Sequence, residues 1–147
     1  MRDMIPEEID EVLKRCEWGI LCTVDQENKP YAIEYCFNYQ DGAIWGVINP
    51  KGTAAKNVTQ NPNVLFKVID YKKVDYWWAV SCFGRAEFLR TFDDVKKGFK
   101  LIEEKLGLEE GRFDKYIEKF INKPENSPTL RVTIEKKTGR CEKAPDY

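Results

Sequence analysis

The chain alternates between short segments with strand periodicity and segments with helical periodicity. Its clearest strand pattern is residues 31–39, where aromatic or aliphatic side chains at every second position alternate with small or polar ones. Asp41-Gly42 predicts a tight hairpin turn into a second apolar strand at residues 43–48. The other predicted strands are residues 19–24, 64–69 and 77–89, and a last one in which Leu130, Val132 and Ile134 alternate before Thr138-Gly139.

Helical spacing occurs in four segments between or after these strands. The first starts at Ile5-Pro6, and the second covers residues 53 to about 60 and stops at Asn61-Pro62. Thr91 is predicted to be the N-cap of the third helix. The fourth carries the apolar residues Phe113, Tyr116, Ile117, Phe120 and Ile121.

These elements predict a mainly β fold with peripheral helices. The strands number about six and are mostly antiparallel by their hairpins. A single sheet with so many apolar positions closes best on itself, so we predict a six-stranded antiparallel β-barrel. The length of 147 residues and a hydrophobic fraction of 42% suit a single domain over residues 1–147.

Charge balance and residue counts exclude several classes of function. With 24 basic and 25 acidic residues the net charge is −1, so we expect neither a nucleic-acid partner nor a membrane partner. The absence of histidine excludes Ser-His-Asp and Cys-His triads and histidine-ligated zinc. Five cysteines without C-x-x-C spacing indicate buried reduced thiols and no metal site. No run resembles a signal peptide or a membrane span, so we expect a cytoplasmic protein.

The loop between the strand at 43–48 and the second helix is the best candidate for chemistry. A helix start offers free backbone N–H groups and the positive end of the helix dipole, which favour a phosphate. Gly52 allows close approach, Thr53 is the predicted hydroxyl N-cap, and Lys51 and Lys56 add positive charge. The alternative is an ordinary capped helix with two solvated lysines. The loop is neither a P-loop nor a G-x-G-x-x-G motif.

The order of these features resembles the FMN-binding split barrels of the pyridoxamine 5'-phosphate oxidase-like family, nearest its nitroimidazole-resistance-type branch. The resemblance rests on the strand at 19–24, the turn at 25–30, Asp41-Gly42, the helix before Asn61-Pro62, and the later Phe83-Gly84-Arg85-Ala86. It extends over nearly the whole chain, and it implies a homodimer with FMN bound near the subunit interface.

The resemblance also implies which residues contact the cofactor. The strand at 33–38 would run beside the flavin ring through Glu34, Tyr35 and Cys36, and Val47, Ile48 and Asn49 would offer backbone contacts. Gly52 and Thr53 would hold the phosphate. Relatives usually have Arg or His and then Lys at Thr53 and Ala54, so Lys51 or Lys56 would have to replace that clamp. Many relatives also have histidine at Val47, and Glu34 and Cys36 replace the usual Pro and Asn.

The expected function is an FMN-dependent oxidoreductase that acts on a small organic molecule. The alternative is a non-catalytic flavin- or haem-binding or regulatory protein that uses the same pocket. A third class, single-strand nucleic-acid binding on an aromatic barrel face, is disfavoured by the near-neutral charge. Tyr76-Trp77-Trp78 is expected at a dimer interface, and Glu103-Glu104 to Glu109-Glu110 is expected to be solvated.

Overall fold

A computed structural model describes the backbone of residues 1–147 and every side chain except that of Ile121. The strands are β1 (Arg2–Asp3), β2 (Trp18–Val24), β3 (Pro30–Gln40), β4 (Ala43–Val47), β5 (Asn63–Lys73), β6 (Tyr76–Phe88) and β7 (Thr129–Cys141). The helices are α1 (Pro6–Arg15), α2 (Thr53–Gln60), α3 (Phe92–Leu106) and α4 (Asp114–Ile121), with a 3-10 turn at Pro124–Asn126. All predicted elements are confirmed, and β1 is an addition.

The six long strands form a closed antiparallel ring in the order β7-β4-β3-β2-β5-β6, and β6 pairs back to β7. The predicted mainly β barrel is therefore confirmed. Two long strands close it: β7 pairs with β4 from Thr129 to Thr133 and with β6 from Leu130 to Cys141. The two-residue β1 pairs with the far end of β7 at Arg2↔Cys141.

The barrel interior is packed with large side chains from every second position of the strands. Phe66 on β5 makes edge contacts with Phe37 and Tyr35 of β3, with ring centroids 4.7 and 6.0 Å apart. The buried hydroxyl of Tyr35 donates a hydrogen bond to the Leu130 carbonyl across the barrel at 2.6 Å. Thus Tyr35 belongs to the packed face of β3.

Helix α1 is fixed to the rest of the fold by its apolar face and at its C-terminal end. Its apolar face buries Ile9, Val12 and Leu13 in the core. At its C-terminal end, the ammonium of Lys105 from α3 donates to the carbonyls of Leu13 at 3.3 Å and Lys14 at 2.5 Å. A cation at the C-terminal end of a helix also interacts favourably with the negative end of the helix dipole.

Helix α3 begins as predicted, since the Thr91 side chain accepts a hydrogen bond from the Asp94 N–H. The expectation that Glu103 is solvated was wrong. Its carboxylate is buried and accepts hydrogen bonds from the N–H groups of Gly111 at 3.2 Å and Phe113 at 3.0 Å. These bonds fold the connection between α3 and α4. None of the described helices has the length and apolar character needed to cross a membrane.

The cluster Tyr76-Trp77-Trp78 is divided between two faces of β6. Trp78 points into the core and is only 3% exposed, whereas Trp77 faces outward and is half-buried. A strand alternates its side chains between faces, so three consecutive aromatic residues cannot all serve one interface.

Candidate functional site

The loop before α2 is shaped by Asn49. Its side-chain oxygen accepts from the Lys51 N–H at 3.0 Å, and its carbonyl accepts from the Gly52 N–H at 3.1 Å. Gly52 is the N-cap and Thr53 the first helical residue, so the prediction that Thr53 caps the helix was wrong. The two Asn49 bonds place the cap one residue earlier than the hydroxyl.

The start of α2 presents unpaired donors. Over the described part of the chain, no backbone or side-chain acceptor lies within hydrogen-bond reach of the N–H groups of Thr53, Ala54 and Ala55. These donors coincide with the positive end of the helix dipole, so the site favours an anion.

Two exposed polar side chains border this helix start. Thr53 and Lys56 line a groove of about 390 Å³ together with the turn between β2 and β3, from Asp25 to Tyr31. Lys51 is exposed on the loop itself. Positive charge at the helix start therefore comes from Lys51 and Lys56, as expected, although Asp25 and Glu27 oppose it across the groove.

Helix α2 is anchored by a buried amide that the sequence analysis did not single out. The Asn57 side chain donates to the Thr23 hydroxyl at 3.0 Å, and that hydroxyl donates to the Tyr31 carbonyl at 3.2 Å. Asn57 is only 2% exposed. The chain of bonds holds α2 against β2 and β3. The signal for it in the sequence is a polar residue, Asn57, beside the apolar residues Ala55 and Val58 of a short helix.

Val47, Ile48 and Asn49 line a separate apolar cleft of about 410 Å³ at the end of β4. Its other walls are Pro50 and Pro128 and the aromatic side chains of α3 and α4, which are Phe99, Tyr116 and Phe120. The Ile48 N–H donates to the Pro128 carbonyl at 2.9 Å, so this donor is already used. The Asn49 N–H has no acceptor within the described residues, so it is available for a backbone contact to a ligand.

The three candidate residues of β3 have different environments. Glu34 is exposed and lies opposite Ile20 of β2. The Tyr35 side chain is fully buried in the barrel, so only its backbone can contact a ligand. Cys36 is buried, and burial raises the pKa of its thiol, which disfavours a reactive thiolate.

Another cleft, of about 690 Å³, lies between α1 and the outward faces of β5, β6 and β7. Three cations line it, Lys67, Lys137 and Arg140, beside Trp77. Lys137 is held by Asp10 and by the Tyr39 hydroxyl at 3.1 Å. Sequence reasoning missed this cleft because its residues come from separate strands with no local motif.

An exposed apolar surface covers the outward face of β2, β5 and β6. It includes Trp18, Ile20, Ile69 and Phe83, which are 59%, 37%, 65% and 44% exposed. Their strands are direct neighbours in the sheet, and Leu65 pairs with Phe83 across it. Lys67 lies between Ile20 and Ser81 on this face, so the apolar side chains surround a cation. Exposed apolar residues rimmed by polar ones are typical of interaction surfaces. We call it the outer apolar face.

The closed antiparallel ring, with a helix start open to anions at its rim, defines a small split-barrel protein. A family model described as pyridoxamine 5'-phosphate oxidase matches residues 5–141, so the chain belongs to that family. No curated protein matches the sequence.

Solved structures similar to this chain support the same fold. One is a conserved hypothetical protein from Mycobacterium tuberculosis, with a TM-score of 0.79 and 20% identity over 98% of this chain and 91% of that chain. A second is a protein assigned to 5-nitroimidazole antibiotic resistance, from Bacteroides thetaiotaomicron. Its TM-score is 0.73 and its sequence identity is 16%, over 94% of this chain and 85% of that chain. A third is an FAD-binding protein from Mesorhizobium loti, with a TM-score of 0.69 and a sequence identity of 21% over 94% of this chain and 95% of that chain.

Proposed function

We propose that this protein binds FMN and is an FMN-dependent oxidoreductase that acts on a small organic molecule. The observation that carries the proposal is the set of three unpaired N–H groups at the start of α2, next to an apolar cleft at Val47–Pro50 in a chain of this family. The FAD-binding neighbour from Mesorhizobium loti supports a flavin in this fold.

The residues present fit the chemical parts of FMN. The N–H groups of Thr53, Ala54 and Ala55, the Thr53 hydroxyl and Lys56 supply donors for a phosphate. The apolar cleft at Val47 and Ile48 suits the flavin ring, and the free Asn49 N–H offers a polar contact. Backbone atoms of Tyr35 and Cys36 and the exposed Glu34 lie on the strand proposed to run beside the ring, and Lys51 and Gly52 complete the loop.

A bound flavin supplies the hydride or electron transfer, and the protein's part is to bind, orient and exclude water. No histidine is needed for this chemistry, so a histidine-free chain is compatible with it. The chain's own contribution is the aromatic wall of Phe99, Tyr116 and Phe120, which limits water access beside Val47.

We propose further that two copies associate through the outer apolar face. Four exposed large apolar side chains on neighbouring strands support this association, since a twofold dimer pairs the same surface of both protomers. The cationic cleft of Lys67, Lys137 and Arg140 adjoins this face, because Lys67 and Trp77 border both. Association would therefore place these cations at the edge of the interface.

The test compares FMN with riboflavin, which lacks the phosphate. Flavin fluorescence titration is expected to show tighter binding of FMN, since only FMN can use the α2 donors. Thr53→Glu places a negative charge at the helix start and is expected to abolish that preference. Thr59→Glu, the matched control, adds the same charge at the far end of α2 and should retain it. Equal binding of FMN and riboflavin to the unmodified protein would refute the phosphate site.

A non-catalytic binding protein is the second candidate, and Thr53 and Ala54 favour it because neither is basic. Bound FMN that is neither reduced by NADH or NADPH nor reoxidised by an acceptor would support this candidate. The same candidate includes haem, whose axial ligand would have to be a cysteine or a tyrosine because the chain has no histidine. A haem spectrum is distinct from a flavin spectrum, so the absorbance spectrum of the purified protein separates the two cofactors.

A further inference from the structure

An aromatic cleft of about 520 Å³ lies at the opposite end of β2 from the α2 groove. Trp18, the first residue of β2, lines this cleft, whereas Asp25 of the α2 groove directly follows the last residue of β2. Tyr76 and Trp78 at the start of β6 form another wall. The cleft shares no lining residue with the proposed flavin site, and it shares Trp18 and Ile69 with the outer apolar face.

The ring of Tyr147 forms one wall of this cleft and makes contacts that the ring of an aromatic ligand could also make. The Arg15 guanidinium is 4.5 Å from the centroid of the Tyr147 ring, and the Trp78 ring meets it edge to face at 6.4 Å and 75°. Both arrangements are favourable for any aromatic ring. Burial raises the pKa of the Tyr147 phenol to about 12, so its hydroxyl stays neutral.

The segment that carries Tyr147 is held by few contacts. The Asp146 N–H donates to the Tyr76 hydroxyl at 3.2 Å, and Asp146 pairs with the exposed Lys143 at 2.7 Å. Tyr147 remains 51% exposed. Exposed pairs contribute little, so a ligand can exchange with this ring at small cost.

Trp78 supplies the second, independent observation. It is only 3% exposed, and its indole N–H has no hydrogen-bond partner within the described residues. A buried donor without an acceptor is unfavourable, and an acceptor that reaches it relieves this cost. The Tyr147 ring does not provide that acceptor.

We propose that this cleft binds an aromatic small molecule bearing a hydrogen-bond acceptor, which replaces the Tyr147 ring and accepts from the Trp78 indole N–H. The ring of the ligand takes the contacts with Arg15 and Trp78, and its acceptor provides the bond that Tyr147 lacks. A volume of about 520 Å³ accommodates a ligand with two or more fused rings. Tyr147 is then an internal competitor for the site.

The experiment uses coumarin, a neutral bicyclic molecule with a carbonyl acceptor, and indole, a bicyclic molecule of similar size that has a donor but no acceptor. Binding to the full chain is followed by the NMR signals of the tryptophan indole N–H groups, assigned with single Trp→Phe variants. Coumarin should shift the Trp78 signal saturably and leave the Trp45 signal unchanged. Indole should bind more weakly.

Tyr147→Ala removes the internal competitor and should tighten coumarin binding about fivefold, given the usual worth of ring contacts. Trp18→Ala removes a wall of the cleft and should weaken coumarin binding; because Trp18 also lies on the outer apolar face, the two proteins are compared in the same oligomeric state. FMN should not compete with coumarin, since the two sites share no residue. An unshifted Trp78 signal in Tyr147→Ala, or equal coumarin affinity with and without Tyr147, would overturn the proposal.

Discussion

The side-chain oxygen of Asn49 accepts a hydrogen bond from the backbone N–H of Lys51 at 3.0 Å, two residues before α2 begins. The bond holds the loop in a turn directly before α2, whose first N–H groups have no partner among the described residues. An asparagine that bonds its own backbone two residues on is a common turn device. Its position here joins the apolar cleft at Val47 to the anion site at Thr53.

Asn49→Ala is expected to weaken FMN binding about fivefold to tenfold, because a loop bond worth roughly 1 kcal/mol is lost before the ligand is held. The matched control is Asn61→Ala. Asn61 accepts from the Asn63 N–H at 3.1 Å, at the other end of the same helix. FMN titrations of both variants check the prediction, which is contradicted if the two lose affinity equally.

Tyr35→Phe is expected to destabilise the barrel by about 1–2 kcal/mol, since the Leu130 carbonyl loses its buried partner. Tyr31→Phe is the control on the same strand, because Tyr31 is 41% exposed. Urea unfolding of both variants gives the free energies. A Tyr35 variant as stable as the Tyr31 variant would show that the cross-barrel bond contributes nothing.

The trio of Asp10, Lys137 and Tyr39 predicts a pH dependence of stability. Burial opposes ionisation of Asp10, but hydrogen bonds from Lys137 and Tyr39 outweigh it, so the pKa of this carboxyl is lowered. Burial likewise opposes the charge on Lys137, but bonds to Asp10 and Tyr39 outweigh it and the pKa of this ammonium is raised.

Asp10 therefore stabilises the fold above its unfolded pKa of about 4, and this contribution is lost as the pH falls through the folded value. Lys137 stabilises the fold below its unfolded pKa of about 10.4, and this contribution is lost as the pH rises through the folded value. Because Asp10 is partly exposed, Asp10→Asn should cost only about 0.5–1 kcal/mol at neutral pH.

Unfolding free energies of the wild type and Asp10→Asn measured across pH check this expectation. The difference should shrink at both ends of the range. Asp75→Asn breaks the exposed pair with Lys73 and should change little at any pH. A constant difference for Asp10→Asn from acid to alkaline pH would contradict the assignment.

The outer apolar face predicts the oligomeric state. Phe83→Asp places a charge on the face and should convert a dimer to a monomer in sedimentation experiments. Phe92 is similarly exposed, at 47% against 44% for Phe83, but it begins α3 away from the face. Phe92→Asp should leave the dimer intact, and a monomeric wild-type protein would refute the association.

Local patterns predicted the helices and long strands because each segment carries its own periodicity and end signals. The alternation at residues 31–39 and the turn at Asp41-Gly42 are examples. The two-residue β1 is too short to show a periodicity in the sequence, and it is a strand only because it pairs with β7. The buried Glu103 was likewise missed, because its N–H partners lie eight and ten residues further along the chain.

The candidate site was predicted in outline through the loop and α2, where the donors are local. The sequence predicts Thr53 as the cap because a hydroxyl is the usual cap, but the bonds to Asn49 make Gly52 the cap and Thr53 the first helical residue. The resemblance implies that the strand carrying Tyr35 runs beside the ligand, and because the Tyr35 side chain faces inward, only its backbone could make that contact. The direction in which a strand points its side chains depends on which face the barrel closes around, and sequence alternation leaves this open.

The absorbance spectrum of the purified protein, incubated with FMN and then desalted, tests the central claim most directly. We predict retained flavin bands with about one FMN per chain, and loss of those bands in Thr53→Glu but not in Thr59→Glu. A desalted protein without flavin absorbance, or one whose flavin is retained equally by Thr53→Glu, would contradict the assignment of α2 as the phosphate site.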